Sequence, residues 1–209
     1  MSKPPVQRVV LWGLLVATLL AILVTAIMAP KWGAPARVEP PQVLGQVPDF
    51  ELTNRDGKII SNTDLLGSNW VVDFIFTRCG LSCPRLTSLM EQLGEAIPAG
   101  EQMYRVSISV DPSNDSPEVL ERYAVSRSIE DEMWLFLTGE AEEIRDLVVS
   151  GFKLALDTEP PAEITNPDEP ILHSNRFVLV DGEGAIRGYY NVVESGELQR
   201  LIDDLRGLS

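Results

Sequence analysis

Val71-Val-Asp-Phe-Ile-Phe-Thr-Arg-Cys79-Gly-Leu-Ser-Cys83-Pro84 holds both cysteines of the 209-residue chain, and the remaining segments are read outward from it. The run from Trp70 to Phe76 is rich in β-branched and aromatic residues, which suits a strand buried on both faces. Pro84 can open a helix, and Leu86, Leu89, Met90 and Leu93 then recur at helical spacing. Two thiols are therefore expected on a tight turn between a core strand and a helix N-terminus. There the helix dipole and free N–H groups favour thiolate over thiol.

Composition narrows the classes. The length allows one good-sized domain with a tail, or two small ones. Two cysteines cannot staple a scaffold, so the core must come from packing. A net charge of −14 argues against nucleic acid, whose binding rests on Lys and Arg neutralising phosphates. The acidity reads as solubility, or as a surface for a basic partner.

Residues 9–29 carry no charged side chain. As a helix they would span about 30 Å, one bilayer core. A cleaved signal peptide has a shorter apolar region, of about 7–15 residues, and Ile27-Met28-Ala29-Pro30 lacks a small-x-small cleavage site. Lys3 and Arg8 precede the span; Lys31 and Arg37 follow it. The reading is a transmembrane anchor with residues 1–8 in the cytoplasm and the bulk of the protein on the outer face. A buried core helix is the poorer alternative for so long a charge-free segment. Residues 30–45, rich in Pro, Ala and Gly without periodicity, read as a linker.

One domain is expected over residues 46–209. Phe50–Thr53 and Lys58–Ile60 flank a turn at Asp56-Gly57, and Ser61-Asn-Thr-Asp64 has the form of a capping box. After the cysteine turn a helix runs to about Gly94, and a strand follows over Tyr104–Val110. Ser116-Pro117 should cap a helix to about Arg127. A strand is expected at Trp134–Leu137 and a helix over Glu140–Val149, closed by Gly151. Arg176–Val180 and Ala185–Tyr190 flank the turn Asp181-Gly-Glu-Gly184, and Glu197–Leu205 forms a last amphipathic helix. Strands alternating with helices predict an α/β domain whose central mixed sheet is covered on both faces.

Cys79 and Cys83 stand at i and i+4, close enough on a turn for a disulfide or a shared metal ion. An inert disulfide or two packed thiols is the bland alternative; the helix N-terminus favours reactivity. The only histidine, His173, follows a loop from Asp157 to Pro170 rich in Pro, Asp and Glu, and precedes the strand at Arg176. A lone histidine is most often solvated or satisfied in the core. Two thiolates and one imidazole nevertheless make a three-ligand set suited to Cu(I) or Cu(II). Zinc would want a fourth ligand, which a loop carboxylate could supply. Spacing alone does not bring His173 to the cysteines.

These residues resemble a known family. Phe76-Thr-Arg-Cys79-Gly-Leu-Ser-Cys83-Pro84 is similar to the Sco/SenC signature F-T-x-C-P-x-x-C-P. Ser109-Val-Asp-Pro-Ser-Asn-Asp115-Ser-Pro-Glu118 resembles that family's S-V-D-P-x-x-D-[ST]-P-E, and Trp134-Leu-Phe-Leu-Thr-Gly139 its W-x-x-L-T-G. His173 lies about ninety residues after Cys83, where the family places its metal-binding histidine. The resemblance implies a thioredoxin-like fold and copper held by Cys79, Cys83 and His173. It also implies a redox-active Cys79/Cys83 pair able to close a disulfide, and an N-terminal anchor. Family members help to mature the dinuclear copper centre of cytochrome c oxidase, as metallochaperones, as thiol reductants of the recipient's cysteines, or both. The implied setting is a single-pass protein of the cytoplasmic membrane with its domain on the periplasmic side. Two positions depart from the pattern: Gly80 replaces the proline after the first cysteine, and Leu172 stands where an acidic residue often precedes the histidine.

Three functions compete on this reading: a copper-delivery protein that is not itself an enzyme, a thiol–disulfide oxidoreductase with incidental copper, and a redox or copper sensor. Disulfide reductases of this fold usually separate their cysteines by two residues. The third residue here widens the pair and favours a metal bridge.

Overall fold

The structure, a computed structural model, describes residues 6–28, 40–79, 82–98, 102–154 and 174–208. Two units are compact in themselves, Met1–Arg37 and Val38–Ser209. The first contains helix α1 (Val6–Met28), with a stretch, Arg8–Thr25, long and apolar enough to cross a membrane.

The second unit is built on one sheet. Its strands are β1 (Gly45–Gln46), β2 (Glu51–Asn54), β3 (Ile59–Ser61), β4 (Asn69–Ile75), β5 (Met103–Ser109), β6 (Trp134–Thr138), β7 (Arg176–Val180) and β8 (Ala185–Asn191). The helices are α2 (Ser82–Glu95), α3 (Pro117–Ser126), α4 (Ala141–Asp146) and α5 (Glu197–Arg206). The strand order is β1-β8-β7-β4-β5-β6-β2-β3, with β4, β5 and β6 parallel and every other pairing antiparallel. The expected mixed sheet and both hairpins are present.

Alternation along the central strands divides the core in two. Val71 and Ile75 of β4 face α2, α3 and α5 together with Trp134, Phe136, Phe177 and Leu179. Trp70, Val72 and Phe74 face the other way, onto Ile144, Leu147, Val148 and Phe152. Phe152 meets Trp70 and Phe74 edge-on, with centroids 6.1 and 5.3 Å apart. Both faces of β4 are dry, which is why its sequence is almost continuously apolar.

The structure departs from the sequence expectations at five places. Residues 41–47 are part of the domain and not only a spacer. Arg187 Nη1 donates to the Pro41 carbonyl at 2.9 Å, Leu44 N–H to Ile186 O at 2.8 Å, and Gly45 pairs with Ile186. Helix α2 begins at Ser82, two residues before Pro84, because a proline in the first turn removes an N–H that has no intrahelical acceptor anyway. It also runs past Gly94, whose role is space: a Cβ there would collide with the Arg105 guanidinium. That guanidinium is buried, donates to the Met90 carbonyl at 3.1 Å and lies 4.5 Å over the Trp134 ring. Ser116 occupies the N-cap of α3 by its backbone, but its hydroxyl donates to Glu118 Oε2 at 2.7 Å and caps nothing. Finally, α4 does not continue to Val149. It widens into a π turn over Leu147–Gly151, with Phe152 N–H reaching Leu147 O at 2.8 Å. The wider turn buries Leu147, Val148 and Phe152 together while Gly151 lies against Pro48.

The β7–β8 turn is held by Asp181. Its Oδ1 accepts the N–H groups of Glu183 and Ala185, both at 2.9 Å, and its Oδ2 the Nε of Arg187 at 2.5 Å. Burial alone would push this carboxyl up. The amides of Ala185 and Glu183 and the Arg187 guanidinium outweigh it and hold the group below its usual range.

Candidate metal and thiol site

The site is assembled where β4 ends. Phe76 and Cys79 close a turn, with Cys79 N–H donating to Phe76 O at 3.2 Å, and Cys83 lies in the first turn of α2. Both cysteines are buried as thiols rather than joined in a disulfide, Cys79 being 6 % and Cys83 1 % exposed. The structure brings them together: the Cys83 amide donates to Cys79 Sγ at 3.2 Å. They belong to the buried apolar cluster that also holds Leu86, Met90, Leu120 and Ala124. Thr87 Oγ1 donates to the Cys83 carbonyl at 2.9 Å and shares a 2.8 Å hydrogen bond with Tyr123 Oη, tying α2 to α3.

Burial reverses the expected acidity at Cys83. Desolvation pushes its thiol well above the ordinary thiol range, and its hydrogen bond with Cys79 adds to the rise. A backbone hydrogen bond from Phe76 pulls the other way and is outweighed. The helix N-terminus is where the sequence places it, but the apolar surroundings win. The sulfur becomes an anionic ligand only when something displaces its proton.

Parallel pairing of β4 with β5 adds residues that the sequence reading quoted without a role. The register Ile75↔Ser109, continued by Val110 N–H to Ile75 O at 2.9 Å, lays the loop after β5 beside the approach to Cys79. Asp115 and Asp111 of that loop contact Thr77 and Arg78. Recurrence of acids in Ser109–Glu118 was the available signal; their targets depend on strand pairing.

Asp73 was missed because it sits inside an apolar run. It is fully buried, on the cysteine side of β4, and Oδ1 accepts Ser107 Oγ at 2.7 Å. Ser107 Oγ in turn accepts Trp134 Nε1 at 3.0 Å, while Asp73 Oδ2 has no hydrogen-bond partner. Desolvation pushes the carboxyl up to about 7, and Ser107 opposes it.

His173, Leu172, the 157–170 loop and Gly80 lie outside the described residues. Antiparallel pairing of Val72 with Val178 sets Arg176, the first residue of β7, level with Phe74, at the end of the sheet where the cysteine turn begins. Among the described residues no three His, Cys, Asp or Glu side chains are grouped to hold a metal ion.

Comparison with known proteins is consistent across sequence and structure. The family model for SCO1/SenC matches residues 39–208. A relative described as SCO1 protein homolog from Bacillus subtilis (strain 168) is 34% identical over 166 residues, covering 78% of this chain and 83% of its own. The structure of BsSco is 31% identical with a TM-score of 0.68, covering 82% of this chain and 97% of that one. That work describes BsSco as carrying a disulfide switch and as a member of the Sco family of cytochrome c oxidase assembly proteins. Yeast Sco1 with copper bound has the same fold at a TM-score of 0.60 and 23% identity, covering 78% of this chain and 89% of that one. The architecture is thus thioredoxin-like.

Proposed function

The chain belongs to the SCO1/SenC family, and we propose that it is a membrane-anchored metallochaperone whose cargo is copper. In this reading Cys79, Cys83 and His173 hold the ion. The protein delivers it to the dinuclear copper site of cytochrome c oxidase during assembly, or reduces the recipient's cysteines. The observation that carries the reading is the buried Cys83 N–H···Sγ Cys79 contact of 3.2 Å, which puts two soft donors side by side. The relatives add support: a copper-bound structure for yeast Sco1, and an assembly role for the BsSco family. The start of β7 at the cysteine end of the sheet supports this reading of His173, three residues earlier in the sequence, as the third ligand.

The chain's own groups supply the chemistry. Both sulfurs lose their protons as copper enters, since only thiolates are ligands, and their burial in the apolar cluster keeps bulk water from them. A disulfide between them removes both donors, so oxidation switches copper binding off. As a reductant the pair would give two electrons and two protons to a partner's disulfide and close its own. The disulfide switch described for BsSco favours keeping this second activity in view.

One substitution separates the two activities. The full-length protein, reduced and in detergent, is expected to bind one copper ion. His173→Ala should weaken binding by about a hundredfold, or about 3 kcal/mol, in chelator competition, while leaving disulfide reduction by the cysteine pair unchanged. Equal copper affinity in the variant would sink the three-ligand site. Loss of disulfide reduction would instead make His173 part of the thiol chemistry.

The helix α1 is assigned as the anchor, with residues 1–8 on the cytoplasmic side and the domain on the periplasmic face. Full-length protein should sediment with membranes, and external protease should remove the domain from spheroplasts. Recovery in the soluble fraction overturns this assignment.

A further inference from the structure

Two consecutive residues before Cys79 are each gripped by a carboxylate from the same loop. Asp115 has no exposed surface. Its Oδ2 accepts Thr77 N–H at 3.0 Å and Ser109 Oγ–H at 2.6 Å, and its Oδ1 accepts Thr77 Oγ1–H at 2.5 Å. Asp111, 6 % exposed, accepts Arg78 through Nε at 3.2 Å and Nη2 at 2.7 Å. The loop is itself braced. Asp115 N–H donates to Asp111 O at 2.9 Å, and Asp111 N–H to Ser109 Oγ at 3.1 Å. Asn114 Nδ2 reaches both Asp111 carboxylate oxygens, at 2.8 and 3.0 Å.

Burying a carboxylate is costly unless its oxygens are filled with donors. Here two of the three donors belong to one residue, Thr77, held by backbone and side chain together. Threonine has little χ1 freedom, so fixing both ends locks the local backbone. Two residues on, that backbone delivers Cys79 to the Cys83 amide.

We propose that Asp115 is a positioning residue of the dithiol site. By holding Thr77 it sets where the Cys79 sulfur stands relative to Cys83, and Asp111 on Arg78 is the second point of the same clamp. This rests on the reading of Cys79 and Cys83 as a redox-active copper-binding pair. A Cys79 sulfur fixed beside the Cys83 amide favours the closed disulfide and the copper chelate alike, so loosening the clamp should weaken both.

The test uses full-length protein in detergent with Asp115→Asn, Thr77→Val, Thr77→Ser and, as a control, Asp181→Asn. The disulfide is equilibrated with glutathione, in which one GSSG takes two electrons and two protons from the dithiol to give two GSH. Asp115→Asn and Thr77→Val are each expected to shift this equilibrium about tenfold toward the dithiol, about 30 mV for a two-electron couple. Both should also alter the copper(II)–thiolate absorption spectrum. Thr77→Ser keeps the hydroxyl and should retain parental values. Asp181→Asn, in the distant β7–β8 turn, should lower the melting temperature and move neither readout. Parental equilibrium and spectrum in folded Thr77→Val overturn the proposal, as does an equal shift in Asp181→Asn. Should Asp115→Asn fail to fold, Thr77→Val still decides. If the parent binds no copper yet the glutathione equilibrium shifts, the clamp stands and the copper reading falls.

Discussion

Cys83→Ala is expected to abolish tight copper binding, weakening it by at least about a thousandfold, about 4 kcal/mol, in competition with a chelator of known affinity. Alanine is the suitable replacement because Cys83 is 1 % exposed among apolar residues, where a serine hydroxyl would need a partner. The variant should fold, losing about 1 kcal/mol of packing. The sulfur it removes is the one whose proton burial holds on. In the parent, copper must displace that proton, so apparent affinity climbs as pH rises and each loading event releases acid. In the variant only the Cys79 proton remains to be displaced, so any residual binding should release one proton fewer and depend less steeply on pH. Copper affinity within tenfold of the parent would show that Cys83 is not a ligand.

Asp73→Asn is expected to stabilise the protein above neutrality. The carboxyl's ordinary value is 3.8, and burial pushes it up to about 7 in the folded state. Because the folded value is the higher one, the fold prefers the protonated acid. The penalty is absent below about pH 4, grows as pH rises and is complete above about pH 7. That rise corresponds to about 4 kcal/mol as an upper bound. The amide must itself find a partner beside Ser107 and the orphaned Oδ2 position, so a net gain of about 2 kcal/mol is expected at pH 8. That would raise the melting temperature by about 6 °C for a domain of this size. Its charge acts on Cys83 and Tyr123, so the comparison is made with reduced, copper-free protein. Parallel stability–pH profiles for parent and variant would refute the assignment.

Much of the architecture is local in origin and therefore legible. Period-two burial appears in β8, and Gly57 and Gly184 adopt φ of +83° and +78° in the two turns where glycine was anticipated. The amide of Ser61 donates to Asp64 Oδ2 at 2.7 Å, as the capping pattern anticipates. Two of the misread boundaries share a cause. The π turn at Leu147–Gly151 and the pairing of residues 44–47 are settled by what they meet across the fold, not by neighbours in sequence, whereas the start at Ser82 follows from the local tolerance of a helix's first turn for proline.

From residue types alone came the paired thiols, their place between a core strand and a helix, the mixed sheet and the apolar N-terminal span. These rest on periodicity, turn chemistry and spacing, which act over a few residues. Two things required the folded chain. One is the protonation of Cys83, where desolvation by burial in the apolar core outweighs the helix N-terminus that the sequence advertises. The other is the carboxylate clamp, in which Asp115 reaches Thr77 across 38 positions because β4 and β5 pair in parallel at Ile75 and Ser109. Charge and polarity are carried by single residues, but dielectric surroundings and hydrogen-bond partners are properties of what the fold sets beside them.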